Sequence, residues 1–462
     1  MQSNIPEQIQ AINHKFHTAG FQLYLVGGCI RNMLLEKQIK DWDLTTNATP
    51  EEILKLFPQG FYDNQFGTVG IPMEFNNEQH VIEITTFRTE REYKDFRHPT
   101  EVAWGKTIEE DLQRRDFTIN AMAMRISEFG NKPALNASEL IDPFHGQEDL
   151  KNNIIRAVGE PTKRFKEDAL RLMRAIRFAA QLGFTIEDST WKAIQEDAML
   201  LPAVSSERIR DESMKILASD HPYEGIIVLK NANLLQHILP ELLEGIGLSQ
   251  ARPGRHHVYD VFTHNVLALK HCPAKDPLVR FATLIHDVGK SRVVGEDENG
   301  LVIFYNHEIA GAKLAFEIGN RLHFSKKERN KIVNLIRWHM FTVDEHITDS
   351  AVRRFIRRIG VENVKDMIDL RIGDRLGSGI DESRAESWRL KKFKERIEEQ
   401  LKPAPFSIND LAIDGSDIMQ ELQMKPGPQI GKLLQQLFEE VDEDLSKNTR
   451  EYLLERIKTR EI

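Results

Sequence analysis

Cysteine is nearly absent from this chain: 462 residues contain only Cys29 and Cys272. Two cysteines cannot make a disulfide framework or a thiolate zinc site, and they suit a reducing, cytoplasmic setting. Long apolar runs are missing too. No stretch approaches the ~20 residues of a membrane span. The start, MQSNIPEQIQAINHKF, lacks the apolar core of a secretory signal. No membrane partner is expected. Nor is there a surplus of positive charge: 62 Lys and Arg face 71 Asp and Glu, a net of −9. An acidic total argues against coating nucleic acid broadly, but it leaves room for a local basic groove. What remains is 40% hydrophobic and 29% charged, ordinary for a globular protein. The length predicts about three or four domains.

Strand signals are confined to the first 150 residues. Phe21–Val26 is a short β-prone run ending at Gly27-Gly28, and 69–75 and 80–87 read as further strands. Beyond 150 the apolar spacing becomes helical, as in 163–184, 206–218, 261–273 and 308–323, so 150–462 is expected to be almost entirely α-helical. Breaks fall near 220–223, 252–254, 376–380 and 402–405.

Three groups of residues carry chemistry. In the first, Gly27 and Gly28 follow a strand and open an apolar-periodic stretch. Glycines there let a phosphate approach the backbone, the new helix start favours an anion, and Arg31 lies within reach of a triphosphate. The same pair also makes a plain tight turn. Asp41 and Asp43 flank Trp42. In extended chain, i and i+2 share a face, and paired carboxylates with substrate phosphates are what Mg²⁺ uses. A solvated aspartate pair is the plainer alternative. Glu83 is a candidate third carboxylate or an exposed strand residue. In RRDFTINA (114–121), Arg115 suits phosphate, and Asp116 and Asn120 can orient it or a sugar.

In the second group, residues 151–180 hold eight basic and three acidic side chains, a local charge of +5 inside a net-acidic chain. Arg171, Arg174 and Arg177 are spaced three apart, near one another on a helix, and Asp168 precedes them by a turn. A carboxylate beside a fork of donors can pair with a base edge, or can serve a helix–helix salt-bridge set.

GGxxR, DxD, RRDFTINA and EDALRLMRAIRF, in this order over about residues 20–218, resemble the class II tRNA nucleotidyltransferases, the CCA-adding enzymes and their poly(A) polymerase relatives. The resemblance implies an α+β, polymerase-β-like nucleotidyltransferase head followed by all-α neck, HD and tail domains. The expected segments are 1–148 (head), 149–222 (neck), 223–380 (HD) and 381–462 (tail). It implies template-independent addition of CCA to the tRNA 3′ end from CTP and ATP, with release of pyrophosphate and a two-metal, Mg²⁺-dependent mechanism. Asp41 and Asp43 then match the catalytic metal carboxylates. Gly28, Arg31 and Arg115 match nucleotide-binding positions. Asp168 and Arg171 match residues that hydrogen-bond the incoming base, and Arg174 and Arg177 match phosphate binders. Glu207 and Arg210, in SSERIRDE, are expected to brace the template helix. Segment 88–108 resembles the flexible loop that switches from CTP to ATP. Two departures stand out: Asn32, where this family usually has Asp, and His145, where it usually has Gly.

The third group is His264, His286-Asp287, His307, His339 and Asp374, anchored by LIHDVGK (284–290). Nitrogen and oxygen ligands of this kind suit Mn²⁺, Ni²⁺ or Fe²⁺ and can activate water on a phosphoester. Single capping or buried histidines are the plainer alternative. The set resembles the HD phosphohydrolase superfamily, which implies a phosphodiesterase or phosphatase activity. His256 and His257 are adjacent but unassigned. In the tail, 388–396 interleaves basic and aromatic residues, suited to phosphate contact and stacking. Pro428 is expected in the first turn of a helix, and the tail is expected to dock the tRNA elbow by shape and phosphate. Other readings are a CC-adding or A-adding enzyme, a poly(A) polymerase, or an RNA phosphohydrolase with a non-catalytic head.

Overall fold

The computed structural model describes residues 5–39, 41–62, 67–75, 78–93, 99–126, 140–251, 258–341, 347–379, 388–401 and 407–459. The chain divides into two units: 1–243 together with Arg321–His323, and 244–320 together with 324–462.

The first unit holds a seven-stranded mixed sheet. Its strands are β1 (Leu23–Val26), β2 (Leu44–Thr46), β3 (Phe61–Tyr62), β4 (Thr68–Phe75), β5 (Glu78–Thr86), β8 (Ala123–Arg125) and β9 (Leu140–Ile141). They lie in the order β3-β4-β5-β2-β1-β8-β9. Every residue of β1 is buried, as its unbroken apolar run requires. β2 is LTT, yet it is buried too. Its hydroxyls make this tolerable, because Thr45 Oγ1 donates to the Thr85 carbonyl at 2.8 Å and Thr46 Oγ1 to that of Gln22 at 2.6 Å.

Register places the chemistry. β1 and β2 are antiparallel, with Leu25 opposite Leu44 and Val26 N–H donating to the Asp43 carbonyl. The end of β1, with its two glycines, therefore lies beside the start of β2. β5 runs parallel to β2 with Ile84 opposite Leu44, which sets Glu83 alongside Asp43. Asp41 and Asp43 sit just before β2 rather than within it. Segment 88–108, read from sequence as a loop, contains an antiparallel ribbon of β6 (Arg88–Tyr93) and β7 (Pro99–Trp104), with Arg88 opposite Trp104. Alternating charge masked the period of two there.

Helices follow the sheet, as expected, with two-residue bridges at 154–155/185–186 and 295–296/302–303 as exceptions. The helix Leu170–Leu182 buries Leu172, Met173, Ala175 and Ile176 and ends at Gly183, whose φ of 72° is the left-handed closing conformation. His145 adopts φ 59° and ψ 35° before the helix Gly146–Lys151, so it holds the backbone form that glycine takes freely.

The second unit is helical. Between helices Val261–His271 and Val364–Gly377, a Cβ on Gly377 would lie 2.7 Å from Ala268 N, and one on Gly373 2.6 Å from Ala268 O. Only glycine permits that approach. Toward its end a separate core gathers Ile418, Leu437, Val441 and Leu453. The helix Pro428–Glu443 begins with Pro428 in its first turn, as its sequence predicts. Among the described residues no helix is long and apolar enough to cross a membrane.

Candidate functional site

The strand ends just described open on a cavity of about 950 Å³, within the size range of small-molecule sites. Basic side chains at its wall outnumber acidic ones nine to five, and Arg171, Arg174 and Arg177 are the contribution of the segment 151–180. The wall includes Gly28, Arg31, Asp41, Asp43, Glu83, Arg115, Asp116 and Asn120 from the sheet side, and Asp168, Arg171, Arg174 and Arg177 from the helical side.

Gly27 has φ 68°, and a Cβ there would sit 2.7 Å from Arg115 Nη1. The glycine the geometry demands is thus Gly27, with Gly28 beside it in the wall. Burial raises the pKa of Asp43, the Arg115 charge lowers it, and the neighbouring Asp41 raises it again. A divalent cation would relieve both the burial and the repulsion, and all-oxygen donors suit Mg²⁺. The residues therefore fit a cation of that class.

The arginines are fixed by buried acids. Asp111, fully buried, binds Arg114 Nη2 through Oδ1 at 2.7 Å and Arg115 Nη2 through Oδ2 at 3.1 Å. Arg174 Nε donates to Asp116 Oδ2 at 2.6 Å. Burial alone would raise the pKa of Asp116, but Arg174 and Arg171 bring it down to about 2. Asn120 links the set: its Nδ2 donates to Asp116 at 3.2 Å, and its Oδ1 accepts from Arg31 Nη1 at 2.7 Å. Arg31 also donates to Asn32 Oδ1 at 3.1 and 3.2 Å. Arg177 Nη1 meets the buried Glu212 at 3.2 Å, and burial pulls its pKa down to about 10. The rings and cations converge on Phe178: Arg31, Arg174 and Arg177 lie 5.1, 5.4 and 4.3 Å from its centroid.

The contacts of the remaining arginines add detail. Arg171 lines the cavity, but its Nη1 donates to Glu167 at 2.8 Å and to the Arg164 carbonyl at 3.2 Å, and its Nη2 to the Arg114 carbonyl at 2.9 Å. Glu207 and Arg210 make contacts elsewhere than on the helix 170–182. Glu207 is exposed near His323, at 3.7 Å, and Arg210 binds Asp211 and the His323 carbonyl. Arg208 and Glu212, four apart on the helix Ser206–Leu217, reach Asp168 and Arg177. Arg208 Nη2 binds Asp168 Oδ2 at 2.8 Å. Sequence reading missed Asp111, Phe178, Arg208 and Glu212. The i+3 and i+4 spacing of Asp111 to its arginines was the one local signal.

The second unit brings His264, His286, Asp287, His307, His339 and Asp374 together. All six are buried. Asp287 stands at the centre. Its Oδ2 lies 3.2 Å from His264 Nε2 and 3.4 Å from His286 Nε2, and its Oδ1 3.3 Å from His307 Nε2 and 3.6 Å from His339 Nε2. Asp374 Oδ1 lies 3.3 Å from His264 Nε2. Nδ1 of His286, His307 and His339 is bonded to a backbone carbonyl one turn earlier, at 2.7–2.8 Å. That contact turns each Nε2 inward as a donor atom, the arrangement metal-binding histidines use. Asp287 Oδ1 and His307 Nε2 are buried with no hydrogen-bond partner. Two overlapping triplets, His264–His286–Asp374 and His286–Asp287–His339, have the spacing of metal ligands. Burial opposes ionisation of Asp287, but Lys290 at 2.5 Å and the histidines hold its carboxyl well below the usual range. In LIHDVGK, a Cβ on Gly289 would be 2.1 Å from the His307 carbonyl, so that glycine lets the His307 helix close in. His256 and His257 lie outside the described residues.

In the tail, Trp388 is 55% exposed, and Lys392 Nζ sits 4.5 Å over its ring.

Three family models match the chain: the Poly A polymerase head domain over 23–156, the Probable RNA and SrmB- binding site of polymerase A over 183–245, and the tRNA nucleotidyltransferase domain 2 putative over 312–457. The CCA-adding enzyme of Limosilactobacillus reuteri is 30% identical over 455 residues, 98% of this chain and 96% of that one. That of Lactobacillus helveticus is 43% identical over 221 residues, 48% of this chain, and the match spans only about half, 52%, of that relative's length. The A-adding tRNA nucleotidyltransferase of Deinococcus radiodurans is 36% identical over 72% of this chain and 75% of that one. Among solved structures, the CCA-adding enzyme of Bacillus stearothermophilus in complex with CTP superposes with a TM-score of 0.71 at 26% identity, covering 98% of both chains.

Proposed function

The chain belongs to the CCA-adding family of tRNA nucleotidyltransferases, and on that premise we propose that it builds the CCA end of tRNA from CTP and ATP, releasing pyrophosphate. The observation that carries this is the single cavity where paired carboxylates face an arginine wall and an acidic–basic pair. Asp41 and Asp43 would hold the divalent cation, Mg²⁺ by donor type, with Glu83 beside them. When bound, such a cation supplies charge neutralisation at the reacting phosphate. The remaining work is positioning. Arg31, Arg115, Arg174 and Arg177 orient the triphosphate, and buried acids, or for Arg31 the amide oxygens of Asn32 and Asn120, keep the guanidiniums in place before substrate arrives. Gly27 and Gly28 admit the phosphates to the backbone. Asp168 accepts the exocyclic amine that C and A share, while U and G leave its acceptor unpaired. The proposed segmentation is head 1–148, neck 149–222, HD domain 223–380 and tail 381–462. The basic, tryptophan-bearing helix from Trp388 is proposed to meet tRNA.

The experiment is incubation of tRNA transcripts ending at the discriminator base, at C and at CC with labelled CTP, ATP or both. CCA addition extends all three to a common end. Extension of the CC transcript alone would make this an A-adding enzyme, and CC-only extension a CC-adding one.

The inward-turned Nε2 atoms favour a second activity. His264, His286, Asp287 and Asp374, with His307 and His339, would hold a divalent cation such as Mn²⁺, Ni²⁺ or Fe²⁺, which supplies activation of water toward a phosphoester. Metal content after Mn²⁺ loading, with hydrolysis of a model phosphodiester, tests this. A chain that retains no metal and hydrolyses nothing would refute it.

A further inference from the structure

We propose that Phe178 is a positioning residue for the triphosphate: its ring gathers the guanidiniums of Arg31, Arg174 and Arg177 at one point of the cavity wall and holds them there by cation–π attraction. This rests on the nucleotide-adding function proposed above. Phe178 is only 5% exposed, yet it lines the cavity. Arg174 lies four residues before it on the helix Leu170–Leu182 and so shares its face. Arg177 is its chain neighbour, and Arg31 comes from the separate helix Gly28–Leu34. The three guanidinium carbons lie 4.3 to 5.4 Å from the ring centroid, inside the reach of about 6 Å over which a ring attracts a cation.

The charges at this point do not balance by acids alone. Arg174 has Asp116 and Arg177 has Glu212, whereas Arg31 donates to the neutral amides of Asn32 and Asn120. Burial lowers the pKa of Arg31 and of Arg177, and the Arg174 charge pushes both the same way, so the cations repel one another in a poorly hydrated place. Arg177 Nε is also buried with no hydrogen-bond partner. A third carboxylate would offset the repulsion but would oppose a triphosphate. An aliphatic side chain would offset nothing. An aromatic ring attracts each cation through its quadrupole, accepts an N–H weakly and carries no net charge. It therefore orders the guanidiniums while leaving the wall positive.

The test changes the electrons of the ring and keeps its shape. Phenylalanine bearing one, three or five fluorines, incorporated at position 178, weakens the attraction in steps. The KM for CTP and for ATP should rise with each step, to about 10-fold at five fluorines, while kcat changes less and the thermal midpoint stays close to that of the wild type. The five-fluorine ring at position 117 is the control. Phe117 packs edge-on against Phe178, with centroids 5.7 Å apart, and lies outside the cavity wall, so that substitution should leave KM near the wild-type value. A KM that stays flat or falls across the series at 178, or rises equally from position 117, overturns the proposal, because the ring would then act by packing. Absence of any nucleotide addition by the wild type would instead refute the function on which the proposal rests.

Discussion

The cavity of the first unit and the histidine–aspartate cluster of the second handle charge by opposite means. In the cavity three key cations are tied to buried acids: Arg115 to Asp111, Arg174 to Asp116, Arg177 to Glu212. The ties fix the guanidiniums yet leave the wall net positive and open, suited to a large polyanion that must enter and leave. In the cluster the donor atoms converge on one another, with Asp287 shared between two sides, suited to a small cation that stays. The difference teaches that buried acids stand in two settings in this chain, as anchors for arginine and at the centre of a histidine cluster.

Several substitutions would break that contrast. The largest effect is expected for Asp43→Ala: nucleotide addition should fall by about 10³-fold or more, while Mn²⁺ content of the cluster stays unchanged. Loss of both would mean that the two regions are not independent. Asp287→Ala should do the reverse, removing bound metal and phosphodiester hydrolysis while CCA addition persists, as read by metal analysis and primer-extension ladders. Gly27→Ala should raise the KM for CTP and ATP by about 10-fold, since its Cβ would meet Arg115 and its φ of 68° is costly for alanine.

The smallest effect is one of pH. Asp116 is depressed to about 2 in the folded protein, against an ordinary 3.8. Its contribution is therefore fully present above about pH 4 and is lost as pH falls toward 2. Asp116→Asn should cost of order 2 kcal/mol at pH 6, and the gap to wild type should narrow between pH 4 and 2 in denaturant titrations. A gap that does not change with pH would mean that Asp116 acts by packing alone.

Much of the site was legible because its residues sit in short, dense motifs. Asp41 and Asp43 are two apart, and Arg171, Arg174 and Arg177 recur at helical spacing. Residues contributed by tertiary register were not legible. Glu83 could be read from sequence as a surface residue, because only the pairing of Leu44 with Ile84 sets it beside Asp43. Arg208 and Glu212 escaped because choosing them over Glu207 and Arg210 needs the rotational phase of their helix. The six cluster residues were named from sequence, but Gly373 and Gly377, which let the helix bearing Asp374 approach the one bearing His264, have a role visible only when a second helix is in place.

The first unit also includes Arg321–His323. Arg321 holds Glu241, 80 residues earlier, at 2.5 and 2.9 Å, and the His323 carbonyl accepts from Arg210. The first unit thus takes in a stretch of chain that lies about 80 residues beyond its other residues. Its covalent chain order and its contact order therefore differ at this point.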